Sequence, residues 1–154
     1  MRNLFLFIFF CVLGNFSYSC TCIGEASVKR AIKESNIVLV GKIVKSEQFS
    51  FSSKWDIDSL TRIRYFVEVK RIYKGRVKKQ IIEIITGNGN GDCGFEFKVG
   101  QEYVIYLDFK KRYFEKGEKV PRYLYTDICK RTCEVNDFEI NEIGKHCNFF
   151  GFKN

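Results

Sequence analysis

Cys20, Thr21 and Cys22 stand directly behind an apolar leader, and this tight cysteine pair at a chain front constrains the fold more than any other feature. Arg2 supplies a charged start, and residues 4–13 form an apolar run too short to span a bilayer. Ser17 and Ser19 put small residues at the third-last and last positions before Cys20, as signal peptidase prefers. The expectation is a signal peptide over 1–19, removed with Cys11, and a mature domain over 20–154 that begins with Cys20. A free α-amino group on a disulfide-anchored terminus is a ready metal chelator.

The mature stretch is about one domain long, near the size where covalent staples help. Its cysteines are Cys20, Cys22, Cys93, Cys129, Cys133 and Cys147. An even number in an exported chain reads as a disulfide framework, with about 15 formal connectivities open at this point. The competing reading is a zinc site from Cys20-x-Cys22 and Cys129-x₃-Cys133. Extracellular cysteines are usually oxidised, and CxC is tighter than the usual zinc spacing. No second apolar run follows, so no transmembrane segment is expected. The formal net charge is +8, of which Arg2 supplies one, and basic residues such as Arg62, Arg64, Lys70, Arg71, Lys110, Lys111 and Arg112 are scattered along the chain. Such scattering reads as a solvated face rather than a nucleic-acid footprint.

Residues 25–35 have the pattern of a short helix, with Val28, Ala31 and Ile32 on one side and Asn36 ending it. Residues 37–44 are β-branched and continuous, as in a well-buried strand, with Gly41 marking a bulge or bend. A serine-rich stretch over 46–59, holding Trp55, reads as a long hairpin loop. The second strand alternates: Ile63, Tyr65, Val67 and Val69 face one way, and Arg64, Glu68 and Lys70 mark a wet face. Lys74-Gly75 turns the chain into a third strand over 80–86, and residues 87–92 form a turn cluster. A fourth strand is expected over 102–109 and a fifth over 122–128. Val135, Phe138, Glu139, Glu142 and Ile143 allow a modest helix, and the apolar tail of Phe149, Phe150 and Phe152 must dock or be sticky. Five short strands with small helices at the ends suggest a mainly β closed barrel, although periodicity alone does not separate it from a sandwich. Closure also removes exposed strand edges.

The order of these pieces resembles the amino-terminal inhibitory domain of the tissue inhibitors of metalloproteinases. Cys20-Thr21-Cys22 matches the family's opening, and Cys93-Gly94 followed by Glu102-Tyr103-Val104-Ile105 resembles its Cys-Gly and next strand. Leu124-Tyr125-Thr126-Asp127-Ile128-Cys129 resembles the strand that ends in the second cysteine's partner. The resemblance covers roughly residues 20–133. It implies a netrin-like module, that is, a five-stranded OB-fold barrel with short flanking helices. It also implies the bridges Cys20–Cys93 and Cys22–Cys129, which leave Cys133 and Cys147 to each other. This sequence departs from the family in three ways. The helix near Ala31 lacks the third amino-terminal cysteine, Ile23-Gly24 replaces the usual prolines, and no room is left for a second cysteine-rich domain.

As function, the resemblance implies a secreted, monomeric inhibitor of zinc metalloendopeptidases rather than an enzyme. The Cys20 α-amino and carbonyl groups would chelate the target's zinc, and no cofactor of its own is needed. Thr21 would enter the first primed-side pocket, Cys22 and Ile23 would follow it, and Gly91, Asp92 and Cys93 would form a second edge. Thr21 otherwise reads as an ordinary exposed residue and Asp92 as a turn-former. The alternatives are a netrin-like binding module without a protease target, and a surface lipoprotein with lipid on Cys20, against which Ser17 argues. An OB-type nucleic-acid binder loses its usual ligand on export. A catalytic Cys–His pair is the poorest reading, because His146 is the only histidine and Cys147 is expected to be bridged.

Overall fold

The computed structural model describes residues 20, 22, 24, 26–51, 60–89, 92–111 and 122–147. Helix α1 (Val28–Glu34) precedes strands β1 (Ile37–Phe51), β2 (Leu60–Lys74), β3 (Ile81–Gly87), β4 (Glu102–Lys111), β5 (Arg122–Tyr125) and β6 (Cys133–Glu134), and helix α2 (Asp137–His146) follows. Neighbouring strands run β1-β2-β3-β5-β4, and β1 also pairs with β4, which closes a five-stranded barrel. Closure is antiparallel, from Ile37 opposite Leu107 to Lys42 opposite Glu102. Among the described residues the one parallel contact joins β3 to β5 at Ile84–Leu124 and Ile85–Tyr125. This order is that of an OB-fold, so the barrel rather than the sandwich is correct.

The unbroken apolar run of β1 follows from its being buried on both faces. Ile37, Leu39 and Ile43 point into the barrel with Val67, Ile84, Ile105 and Leu107. Val38 and Val40 point outward, but α1, α2 and the outer face of β4 cover them through Ala31, Ile32, Ile143, Val104 and Tyr106. Each such side chain contributes about 1.5–3 kcal/mol by leaving water. Register shifts between Val38 and Leu39, between Val40 and Gly41 and between Ile43 and Lys45 bend the strand around the barrel. At Gly41 a Cβ would stand 2.3 Å from Val67 Cγ1 and 3.2 Å from Glu68 O, so glycine makes room here for the Val67 side chain of β2.

Between β3 and β4 the chain crosses one end of the barrel and plugs it. Phe97 stacks edge-on against Tyr65 and Tyr103, each with centroids 4.9 Å away, and Phe95 joins it at 4.5 Å. The Phe97 and Lys98 N–H groups donate to the Tyr65 and Tyr103 hydroxyls at 3.3 and 3.0 Å. Buried tyrosines thereby satisfy a segment that has no strand ladder.

Several boundaries differ from the sequence expectation. Helix α1 starts later, where the Ser27 hydroxyl accepts from Arg30 N–H, and its cap is Ser35. Asn36 instead bridges to β4, its side-chain oxygen accepting from Phe109 N–H at 3.0 Å. The expected loop over 46–59 is shorter, because β1 runs on to Phe51 and β2 begins at Leu60. Polar residues suit this stretch of the hairpin, where β1 pairs with β2 alone. Trp55 and the tail of Phe149, Phe150 and Phe152 lie outside the described residues. The fifth strand ends at Tyr125, because Asp127 turns the chain by accepting from the Cys129 and Lys130 N–H groups.

Candidate functional site

The Cys20 sulfur is bonded to Cys93 and the Cys22 sulfur to Cys129, with Cα separations of 5.4 and 5.2 Å. These are the two pairings that the resemblance implies. Thus the first described residues are stapled to the β3–β4 segment and to the turn after β5. Those two anchors are tied to each other, since Ile128 N–H donates to Cys93 O at 3.0 Å. A third anchor follows: Arg131 Nη1 donates to Ala26 O at 3.0 Å. Gly24, at φ 64°, bends the chain between them, and its N–H donates to Cys22 O at 3.0 Å.

Cys93 has φ 58°, a left-handed conformation that non-glycine residues seldom adopt. Asp92 holds the loop around it. Its carboxylate accepts from Arg62 Nη1 at 2.7 Å and from the N–H groups of Asn88, Gly89 and Gly94 at 3.0, 3.0 and 3.2 Å. The expected turn-forming role of Asp92 is therefore filled by its side chain, which is largely covered. Thr21, Ile23 and Gly91 lie outside the described residues.

Arg131 reaches the amino-terminal segment because Glu139 holds it from behind, at 2.9 and 3.0 Å. Glu139 is 2 % exposed and also accepts from the Tyr106 hydroxyl at 2.6 Å. Burial, with the Glu139 hydrogen bond and charge second, pushes the Tyr106 hydroxyl far above its ordinary pKa, so it stays a donor. On the other side of the loop, Lys110 Nζ sits over the Tyr125 ring, 3.3 Å from its centroid. Burial pushes Tyr125 up to about 12, with Asp127 adding to the shift. Lys130 pairs with Asp108. The basic residues near this edge are thus mostly partnered, and only tertiary contact could reveal Arg62, Arg131 and Glu139 as its supports.

Cys133 and Cys147 correct the expectation of a third bridge: both are thiols. Among the described cysteines these two line different cavities rather than meeting each other. Cys133 lines a cavity of about 480 Å³ beside Cys22, Gly24 and Ala26. Cys147 instead lines the larger cavity of about 830 Å³, with Ile32, Tyr73, Lys74 and His146. That larger cavity does not include the CxC segment. The thiol that a Cys–His pair would need is therefore present, yet burial raises its pKa, the opposite of an activated nucleophile. The zinc-site alternative fails for another reason: Cys20, Cys22 and Cys129 are consumed in disulfides.

A closed five-stranded barrel to which the Cys20–Cys22 segment is stapled at two neighbouring loops defines a netrin-like module. A family model, tissue inhibitor of metalloproteinase, matches residues 18–112, and the chain belongs to this family. Comparison with curated proteins finds no match. Members of the family are secreted inhibitors rather than enzymes, and metalloproteinases are their partners. Among the described residues no helix is long and apolar enough to cross a membrane.

Proposed function

We propose that this protein is a secreted, monomeric inhibitor of zinc metalloendopeptidases that begins at Cys20 after removal of residues 1–19. The observation that carries the reading is the pair of bridges Cys20–Cys93 and Cys22–Cys129, which hold the Cys20–Cys22 segment against the β3–β4 loop and the turn after β5. The Cys20 α-amino nitrogen and carbonyl oxygen chelate the target's zinc as a five-membered ring. Catalytic zinc keeps an open position for water, and the chelate takes it. An α-amino group titrates near pH 8, so a sizeable minority is neutral at neutral pH and available to the metal. The inhibitor needs no metal of its own.

Thr21 enters the first primed-side pocket, with Cys22 and Ile23 following. Gly91, Asp92 and Cys93 supply a second edge, Asp92 through its backbone because its carboxylate is engaged within the loop. A stapled amine has already lost the freedom that binding would otherwise remove.

The test changes only the chelator. Intact-mass measurement of the exported protein should show a start at Cys20 without lipid. Adding one alanine before Cys20 should abolish inhibition while leaving the disulfides and the unfolding midpoint nearly unchanged. Equal inhibition by the extended form sinks chelation. Failure of both forms against a broad panel of zinc proteases favours a netrin-like binding module, and lipid on Cys20 favours a surface lipoprotein.

A further inference from the structure

We infer that Asp92, braced by Arg62, is a positioning residue of the inhibitory edge: it sets the backbone of Cys93 and, through the disulfide, the place of Cys20. The inference rests on the chelation reading for its effect on inhibition, but its structural content stands apart from it.

An ionised carboxylate offers about four acceptor sites, and Asp92 is given four donors. Oδ2 accepts from Arg62 Nη1 and Asn88 N–H; Oδ1 accepts from Gly89 and Gly94 N–H. Three of these donors are backbone groups that bracket Cys93 in the chain. The fourth comes from the barrel wall, where Arg62 on β2 lies opposite Gly87 on β3. Both partners are mostly covered, at 22 % and 17 % side-chain exposure. The loop is built around this carboxylate. A Cβ on Gly87 would stand 2.2 Å from Asp92 Oδ1, and one on Gly94 would stand 2.2 Å from Gly87 O.

Cys93 sits between these contacts at φ 58°. Such a conformation persists where its surroundings over-determine it. Without the Asp92 carboxylate, three N–H groups and Arg62 lose an acceptor, and Cys93 is free to relax toward ordinary backbone angles. The disulfide would survive and carry Cys20 with it. An edge residue whose side chain faces inward therefore acts on the target through Cys20.

The experiment compares Asp92→Ala, Asp92→Asn and Arg62→Met with the native protein. It reads inhibition of a zinc endopeptidase catalytic domain, the unfolding midpoint, and the rate at which dithiothreitol reduces each disulfide. Asp92→Ala should weaken inhibition by about a hundredfold, the scale of a small misplacement at a reacting centre. It should also speed reduction of Cys20–Cys93 relative to Cys22–Cys129. Asp92→Asn keeps an acceptor oxygen for the Gly89 and Gly94 N–H groups but turns an amide NH2 toward Arg62 and the Asn88 N–H, so it should recover only part of both losses. Arg62→Met should show the same two effects more weakly.

Unchanged inhibition by folded Asp92→Ala would overturn the inference. So would an effect of Asp92→Ala that Arg62→Met does not share, since a direct protease contact needs no brace. Equal acceleration at both disulfides would also overturn it, because that marks general loosening. Should the native protein inhibit nothing, selective acceleration at Cys20–Cys93 still supports the positioning role while the function reading falls.

Discussion

Among single residues, the two thiols show how the fold changes the meaning of a cysteine. Cys133 is half-buried; its pKa is pushed up to about 11, mainly by burial, with the Glu139 charge adding to it. Burial raises Cys147 as well. The thiolate is the reactive form, so at pH 8 only about one Cys133 in a thousand is poised to react. We expect iodoacetamide to leave both thiols largely unmodified in the native protein at pH 8 and to modify both after denaturation without reductant. Labelling of Cys133 should rise steeply as the pH approaches 11. A denatured protein with no reactive thiol would instead establish a third bridge. Cysteine count and export made that bridge the natural expectation; in the fold the two thiols line different cavities, a placement that no count contains.

Helix α2 exposes Phe138 and buries Glu139, the reverse of what polarity alone suggests. The reason is the Tyr106–Glu139–Arg131 chain, in which one carboxylate joins the helix, the barrel and the segment ending at Ala26. Replacing Glu139 by glutamine removes the ion pair but keeps the size. We expect a cost of about 2–3 kcal/mol in urea unfolding, below the range for a fully buried pair because Arg131 remains partly exposed. An unchanged midpoint would mean the pair contributes nothing. The strand elements were largely legible beforehand, since alternation in β2 and the unbroken run in β1 follow directly from one-sided and two-sided burial. Their ends were less legible. β1 continues past its apolar residues because backbone pairing with β2, rather than side-chain burial, carries it on.

For the whole molecule, the two bridges span 73 and 107 residues of sequence separation. A loop of the first size, closed alone, stabilises the native state by about 4 kcal/mol in the chain-entropy model. Typical domains have about 5–15 kcal/mol in all. Reduction should therefore lower the thermal midpoint by about 15 °C or more; a scan unchanged after confirmed reduction would contradict this. By itself the sequence determined the apolar leader pattern and the succession of strands along the chain, which follow from periodicity, while the barrel class and the family came from a resemblance carried by cysteines at a recognisable spacing. Only the tertiary structure decided that Asp92 meets Arg62, that Glu139 is buried against Tyr106, and that Cys133 and Cys147 stay apart. Those outcomes depend on which residues meet once the barrel closes, and barrel closure joins residues whose separation along the chain carries no local signal.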